Sequence, residues 1–75
     1  MIEEKIIKLV AKHLQVSESK VTPESDLFDD LGADSLDSIE MVLQLESNFD
    51  IEVSDEEIDG IRQVKDIIRL VEDLA

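Results

Sequence analysis

The sequence Leu-Gly-Ala-Asp-Ser-Leu-Asp at residues 31–37 marks the boundary between a long connecting segment and an amphipathic helix. Asp34 is a strong N-cap candidate, because its carboxylate can accept hydrogen bonds from the free N–H groups of the first helical turn. Asp37 adds favourable negative charge to that turn. Ser35 is therefore expected at the first helical position, with its hydroxyl near solvent.

The helix that follows is predicted over residues 35–49, which contain no glycine or proline. At 100° per residue, one set of apolar side chains falls within an arc of roughly 160°, wide enough to face a core. This predicted core stripe consists of Ile39, Met41, Val42, Leu45 and Phe49. Leu36 and Leu43 lie outside it, beside Glu40 and Ser47, and form a second, smaller apolar strip that we expect the core to leave exposed.

Two further helices are predicted at the ends of the chain. Over residues 2–15, apolar residues recur at helical spacing, and residues 64–74 repeat the pattern. The faces predicted to be buried are Ile2, Ile6, Leu9, Val10 and Leu14 in the first helix and Val64, Ile67, Ile68, Val71 and Leu74 in the last.

The connections between these helices carry turn and cap signals. Residues 16–34 form a long first loop with its own apolar anchors, and Thr22-Pro23 is typical of a single helical turn. Ser54 and Glu57 fit a capping box at the start of a short third helix. Gly60 is expected to end that helix as a left-handed C-cap.

Composition and charge narrow the function classes. The chain has 75 residues, no cysteine and a net charge of −13, and we expect a single domain over residues 1–75. No disulfide or Cys-ligated metal is possible, and the apolar runs are far shorter than the ~20 residues of a membrane span. We therefore expect a cytoplasmic protein without membrane insertion.

The distribution of charge indicates the kind of partner. No Lys or Arg lies between Val21 and Ile61, which disfavours nucleic-acid binding and favours basic protein partners.

No catalytic constellation is evident, and we do not expect an enzyme. Ser35 has no histidine nearby in the sequence and does not lie in a Gly-x-Ser-x-Gly elbow. His13, the only histidine, is expected to be exposed or at the edge of the apolar face of the first helix, without a catalytic partner.

A calcium-binding EF-hand is one competing motif. Residues 55–66 carry carboxylates and a glycine at several loop positions, but Arg62 replaces the usual apolar residue and Asp66 the usual bidentate Glu. The capping box would also start a helix inside the loop. No specific metal site is therefore predicted.

The run Asp-Leu-Gly-Ala-Asp-Ser-Leu-Asp at residues 30–37 resembles the phosphopantetheine-attachment motif of acyl carrier proteins. Residues 2–5, 21–25, 39–42 and 49–57 also resemble that family, so the resemblance covers essentially the whole chain. It implies an all-α fold: a small four-helix bundle with a short third helix and a long first loop. It also implies that a transferase, using coenzyme A and magnesium, attaches 4′-phosphopantetheine to Ser35.

The resemblance further implies what the modified protein does. Growing acyl chains would be held as thioesters and presented to enzymes of fatty acid synthesis, whose basic patches would meet a recognition face on the second helix. By correspondence with the family, that face comprises Asp34, Leu36, Asp37, Glu40, Leu43 and Glu46. Candidate residues of an acyl-chain pocket are Met41, Leu45, Ile61 and Ile67. We expect a monomer.

The sequence departs from the family pattern at a few positions, and it leaves alternative functions open. Gln15 stands where a glycine often closes the first helix, and Ile67 and Leu70 stand where smaller or aromatic residues are frequent. The carrier could serve a specialised pathway such as polyketide assembly. A structural acidic adaptor that is never modified is the remaining alternative.

Overall fold

Four α-helices organise residues 2–75, which are the residues that the computed structural model describes. The helices are α1 (Ile2–Leu14), α2 (Ser35–Phe49), α3 (Asp55–Asp59) and α4 (Val64–Leu74), and a 3₁₀ helix spans Glu18–Lys20. The predicted all-α fold, with a short third helix and a long first loop, is confirmed. No helix within residues 2–75 is long and apolar enough to cross a bilayer.

The core lies between α1, α2 and α4, which supply most of its aliphatic side chains. Ile6, Leu45 and Val71 have no exposed surface. Leu74, predicted on the buried face of α4, is instead 39% exposed, because it is the last residue of that helix and has no following turn to cover it. Within the predicted stripe of α2, Ile39 is 48% exposed, and the buried position beside it is taken by Ser38.

Both long helices before α3 end in a left-handed residue that is not glycine. Gln15 has φ 59° and Asp50 has φ 54°. The next residue in each case donates its N–H five positions back, from Val16 to the Ala11 carbonyl and from Ile51 to the Glu46 carbonyl. This is the Schellman motif, in which glycine is usual at the left-handed position.

Of the two cap predictions for α3, the one at its start is confirmed and the one at its end is wrong. Ser54 and Glu57 form the predicted capping box. Gly60 ends the helix, but its φ of −81° and ψ of −7° are right-handed, so the left-handed cap was wrong. The chain continues from Gly60 as a further turn, because the Ile61 N–H donates to the Ile58 carbonyl.

The first loop is held against the α3–α4 connection by backbone hydrogen bonds. The Leu27 N–H donates to the Arg62 carbonyl at 2.8 Å, and the Val64 N–H donates to the Ser25 carbonyl at 3.0 Å. Leu27 is fully buried beneath them. Residues 22–25 form a single hydrogen-bonded turn, with the Ser25 N–H donating to the Thr22 carbonyl at 3.0 Å, rather than the predicted helical turn; the 3₁₀ helix lies earlier, at Glu18–Lys20. This pinned loop fixes the position from which α2 begins.

Candidate functional site

A tight turn carries the loop into α2. Gly32 has φ 76°, a left-handed conformation that favours glycine. Its N–H donates to the Phe28 carbonyl at 3.2 Å, and the Ala33 N–H donates to the Leu27 carbonyl at 2.8 Å. Since Leu27 is buried in the core, the turn is anchored and the direction of α2 is set.

The start of α2 is closed by two aspartates. The Asp37 N–H donates to Asp34 Oδ1 at 2.8 Å, and the Asp34 N–H donates to Asp37 Oδ2 at 3.1 Å. This reciprocal pair is a capping box, which confirms Asp34 as the N-cap. Ser35 follows at the first helical position, exposed to solvent, and its hydroxyl accepts and donates no hydrogen bond within the described part of the chain. A hydroxyl in this position is free to be modified.

His13 lies on α1 against this same turn, at the edge of the apolar face, which is one of the two positions predicted for it. Its side chain is only 11% exposed, with Nε2 at 3.5 Å from Asp37 Oδ1. Its Nδ1 lies 3.4 Å from the amide nitrogen of Gln44, on the next turns of α2. The histidine is half-buried because α1 packs along α2, and this packing places it beside the capping aspartate.

The exposed strip of α2 (Leu36, Glu40, Leu43 and Ser47) agrees with the second apolar strip predicted from the helical wheel. Leu36 is 61% exposed and Leu43 is 59% exposed. Large aliphatic side chains this exposed, with Glu40 beside them, are suited to contact a partner protein.

Two predicted members of the recognition face also have internal partners. Asp37 closes the capping box, and Glu46 accepts a hydrogen bond from the Val53 N–H at 2.9 Å on its Oε2 atom. Both residues are half-buried. Asp34 caps α2 but is exposed, as is Glu40, so these two carboxylates are the more accessible charges of the set.

A groove of about 470 Å³ opens beside Ser35, between α2, α3 and the pinned loop. The residues that line it are Phe28, Ser35, Ser38, Ile39, Asp55, Ile58, Asp59, Ile61 and Arg62. Of the four pocket candidates, Ile61 is on its wall. Met41, Leu45 and Ile67 do not line it; they are at most 1% exposed and lie in the core, so their role in an acyl-chain pocket stays a prediction. Ile39 was missed as a groove residue, although its position at the edge of the apolar arc, on the Ser35 side, is a signal in the sequence.

Arg62 forms the polar end of this Ser35 groove. Its guanidinium bonds Asp26 at 2.8 Å and Asp29 at 2.9 Å, and it lies 6.0 Å from the centre of the Phe28 ring. The pKa of Asp26 is lowered from its ordinary value of 3.8, first by the hydrogen bond from the Asp29 N–H and then by the Phe28 N–H and Arg62. Arg62 thereby ties the loop to the α3–α4 connection at the edge of the groove.

Helix α3 occupies the residues of the competing EF-hand motif. Asp55–Asp59 is helical, and Asp66 accepts from the N–H groups of Arg62 and Gln63 at the start of α4. An EF-hand needs an open loop there. No group of three metal-ligating side chains was found within residues 2–75.

Comparison with known proteins identifies the family. A family model of the phosphopantetheine attachment site matches residues 4–71. The chain belongs to the acyl carrier proteins. It is 32% identical to a candidate acyl carrier protein from Mycobacterium tuberculosis, with a TM-score of 0.91 and coverage of 97% of both chains. It is 32% identical to an acyl carrier protein from Thermotoga maritima, with a TM-score of 0.80 over 97% of this chain and 89% of that one.

A further similar structure supports the carrier fold alone. The apo doublet acyl carrier protein from prodigiosin biosynthesis superposes with a TM-score of 0.83 at 22% identity, over 97% of this chain and 35% of that one. Acyl carrier proteins are carriers and not catalysts, and their covalent cofactor is phosphopantetheine.

The start of α2 fits that cofactor. Ser35 offers an accessible hydroxyl, and the helix N-terminus favours a phosphate through its free N–H groups and its dipole. The neighbouring carboxylates of Asp34 and Asp37 oppose the charge in part. The Ser35 groove provides apolar walls for the rest of the group.

Proposed function

We propose that Ser35 bears 4′-phosphopantetheine and that the chain carries acyl groups for fatty acid synthesis. The observation that supports this most directly is the position of Ser35, exposed and without a hydrogen-bond partner at the first position of α2. When bound, the group supplies the thiol that forms the thioester, since the protein has no cysteine. The alternative function is to carry acyl groups in a specialised pathway.

The other six serines are less suited to modification. Ser17 and Ser19 are exposed, but their hydroxyls hydrogen-bond each other at 3.1 Å. Ser25 and Ser38 are 8% and 7% exposed. The hydroxyl of Ser54 is engaged with Glu57 in the α3 capping box. Ser47 is exposed in the interior of α2, where no helix N-terminus is available to the phosphate, and it is therefore a matched control for Ser35.

The exposed strip of α2 is proposed as the centre of the face that meets partner enzymes. Leu36 and Leu43 supply apolar contact area, and Asp34 and Glu40 supply accessible negative charge. Partners would present basic patches, including on the phosphopantetheinyl transferase, because opposite charges accelerate encounter. Asp37 and Glu46 would also contribute negative charge to this face, while their carboxylates accept backbone hydrogen bonds within the fold.

The acyl chain is proposed to enter between α2 and α3 through the Ser35 groove. Ile61 on the groove wall would be met first, and Met41, Leu45 and Ile67 would be met only if the core opened further. The chain contains only two Phe and no Trp or Tyr, so its core is mainly aliphatic and the helices could separate without displacing large rings. Each methylene transferred from water would contribute about 0.8 kcal/mol.

One continuous core supports the proposal that residues 1–75 act as a single, monomeric carrier domain. The test of function is the intact mass after incubation with coenzyme A, magnesium and a broad-specificity phosphopantetheinyl transferase. We expect a gain of one phosphopantetheine in the wild type and in Ser47→Ala, and none in Ser35→Ala. Absence of a gain in the folded wild type, with a known carrier modified in parallel, would favour the unmodified adaptor.

The pathway is tested separately, once the modified protein is in hand. Elongation of its malonyl and acyl thioesters by a reconstituted fatty acid synthase would support fatty acid synthesis. Modification without elongation would favour a specialised pathway.

A further inference from the structure

A second groove lies between α1 and the far half of α2, and its charge is opposite to that of the rest of the protein. Its volume is about 480 Å³. Lys5, Lys8 and Lys12 line it, with Leu9 and Phe49 as its apolar residues. These three lysines are among only seven basic residues in a chain of net charge −13. We call this site the lysine groove.

The lysines of this groove are not neutralised within the fold. They are spaced three and four residues apart, so they share one face of α1. All three are exposed, and none forms an ion pair with an Asp or Glu in the part of the chain that the structure covers. The half-buried Leu9 and Phe49 between them leave apolar surface open beside the positive charge.

We propose that the lysine groove binds an acidic amphipathic helix of a partner protein. From Lys5 to Lys12 the charges extend over about 10 Å, or two helical turns. Carboxylates at positions i, i+3 or i+4, and i+7 of a second helix match that spacing, and apolar side chains between them would contact Leu9 and Phe49. Gln44 and Asn48 on the α2 side add amide groups for hydrogen bonds.

The overall charge selects this occupant over larger anionic surfaces. A membrane of anionic lipids or a nucleic acid would meet the field of the whole molecule, which is strongly negative. A single helix has to match only the local patch, since at physiological salt charges more than about 8 Å away are largely screened.

The location of the groove leaves the modification site free. Gln44 is nine residues beyond Ser35 on α2, or about 13 Å along the axis. Leu43 of the exposed strip directly precedes Gln44 in the chain. A partner that covers this strip with basic residues could therefore place an acidic helix in the lysine groove. Rotating such a partner would bring like charges together, so the mixed pattern would fix its orientation.

The test is a titration of isotope-labelled, unmodified protein with a short synthetic helical peptide, followed by two-dimensional NMR. The peptide carries glutamates spaced to face the three lysines, with leucines between them. We expect shifts of the backbone amides of residues 5–12 and 44–49. A peptide of identical composition, with its glutamates distributed around the helix, should bind more weakly.

Two charge-matched variants locate the site. The triple variant Lys5→Gln, Lys8→Gln, Lys12→Gln should weaken binding about tenfold, because up to three exposed ion pairs are lost. The variant Lys20→Gln, Lys65→Gln, Arg69→Gln changes the net charge equally and should alter binding by less than about twofold. Circular dichroism verifies that both fold. Because the titration uses unmodified protein, its outcome is independent of the proposed modification.

Several results would overturn the proposal. Equal binding of the two peptides, or equal losses in the two triple variants, would indicate nonspecific attraction. Concentration-dependent shifts of the groove amides without peptide would assign the groove to a second copy of the chain. Shifts of those amides with vesicles of phosphatidylglycerol and phosphatidylcholine, and none with the peptide, would assign it to a lipid surface.

Discussion

Replacing Gln15 by glycine should stabilise the fold, because Gln15 occupies a position that suits glycine better. Its φ of 59° lies in the left-handed region, where a side chain is strained. The Schellman hydrogen bond from the Val16 N–H to the Ala11 carbonyl, at 3.0 Å, holds it there. Gln15 is exposed, so the substitution removes little packing.

The size of the gain follows from two opposing terms. The left-handed conformation costs a non-glycine residue about 1–2 kcal/mol. The greater freedom of glycine in the unfolded chain offsets about 0.4–1 kcal/mol of that gain. Taking the centre of each range, the free energy of unfolding should rise by about 0.8 kcal/mol, which in a domain of this size raises Tm by about 3–6 °C.

Thermal unfolding followed by circular dichroism, with urea unfolding for the free energy, measures the change. Gln15→Asn should give an intermediate gain, because asparagine adopts the left-handed region more readily than glutamine. Ser47→Gly is the matched control: in the right-handed interior of α2 it should lower stability by about 0.5 kcal/mol. A Gln15→Gly protein no more stable than the wild type would refute the strain argument.

Three further predictions rest on conformation and charge. Gly32→Ala should lower the free energy of unfolding by about 1 kcal/mol, because the φ of 76° strains a side chain even though no atom lies within 4 Å of the added Cβ. Gly60→Ala is the matched control: φ is −81° and the nearest atom is 3.6 Å away, so urea unfolding should show a neutral or slightly stabilising effect. The lowered pKa of Asp26 means that its ionised form stabilises the fold; this contribution is complete above the ordinary pKa of 3.8 and is lost as pH falls through the lower, folded-state pKa. In an NMR titration, Arg62→Gln should raise the pKa of Asp26 only part of the way, because the larger effect of the Asp29 N–H remains; full restoration would contradict this order of causes. Because the net charge is −13, added salt or magnesium should raise Tm by screening self-repulsion, and a Tm that does not change with salt would contradict that view.

The parts of the fold that the sequence predicted well are those determined within a few residues. The N-cap at Asp34 and the capping box at Ser54 each depend on residues three apart, so their signals are contained in single turns. Helical periodicity likewise located α2 and α4 at their observed bounds. Gly60 shows the limit of such rules, because glycine permits a left-handed conformation without requiring it.

The features that the sequence did not predict depend on which elements pack together. His13 is covered because α1 runs beside the first turn of α2, and nothing near it in the chain indicates Asp37 as its neighbour. Arg62 joins Asp26 and Asp29 across more than thirty positions of sequence. Ile39 belongs to a groove rather than the core, because α3 and the pinned loop leave that side of α2 open.

The structure also changes how the acidic face of α2 should be interpreted. Asp37 and Glu46 hold the backbone N–H groups of Asp34 and Val53, so removing either side chain would disturb the fold as well as any docking. Asparagine or glutamine at these positions keeps an acceptor oxygen while removing the charge, and so separates the two roles. Leu36, Glu40 and Leu43 have no such internal partner, and a loss of binding on their substitution would report on docking alone. The docking surface that we propose is therefore narrower than the acidic pattern, and its apolar centre is the part that partners would use without competing with the fold.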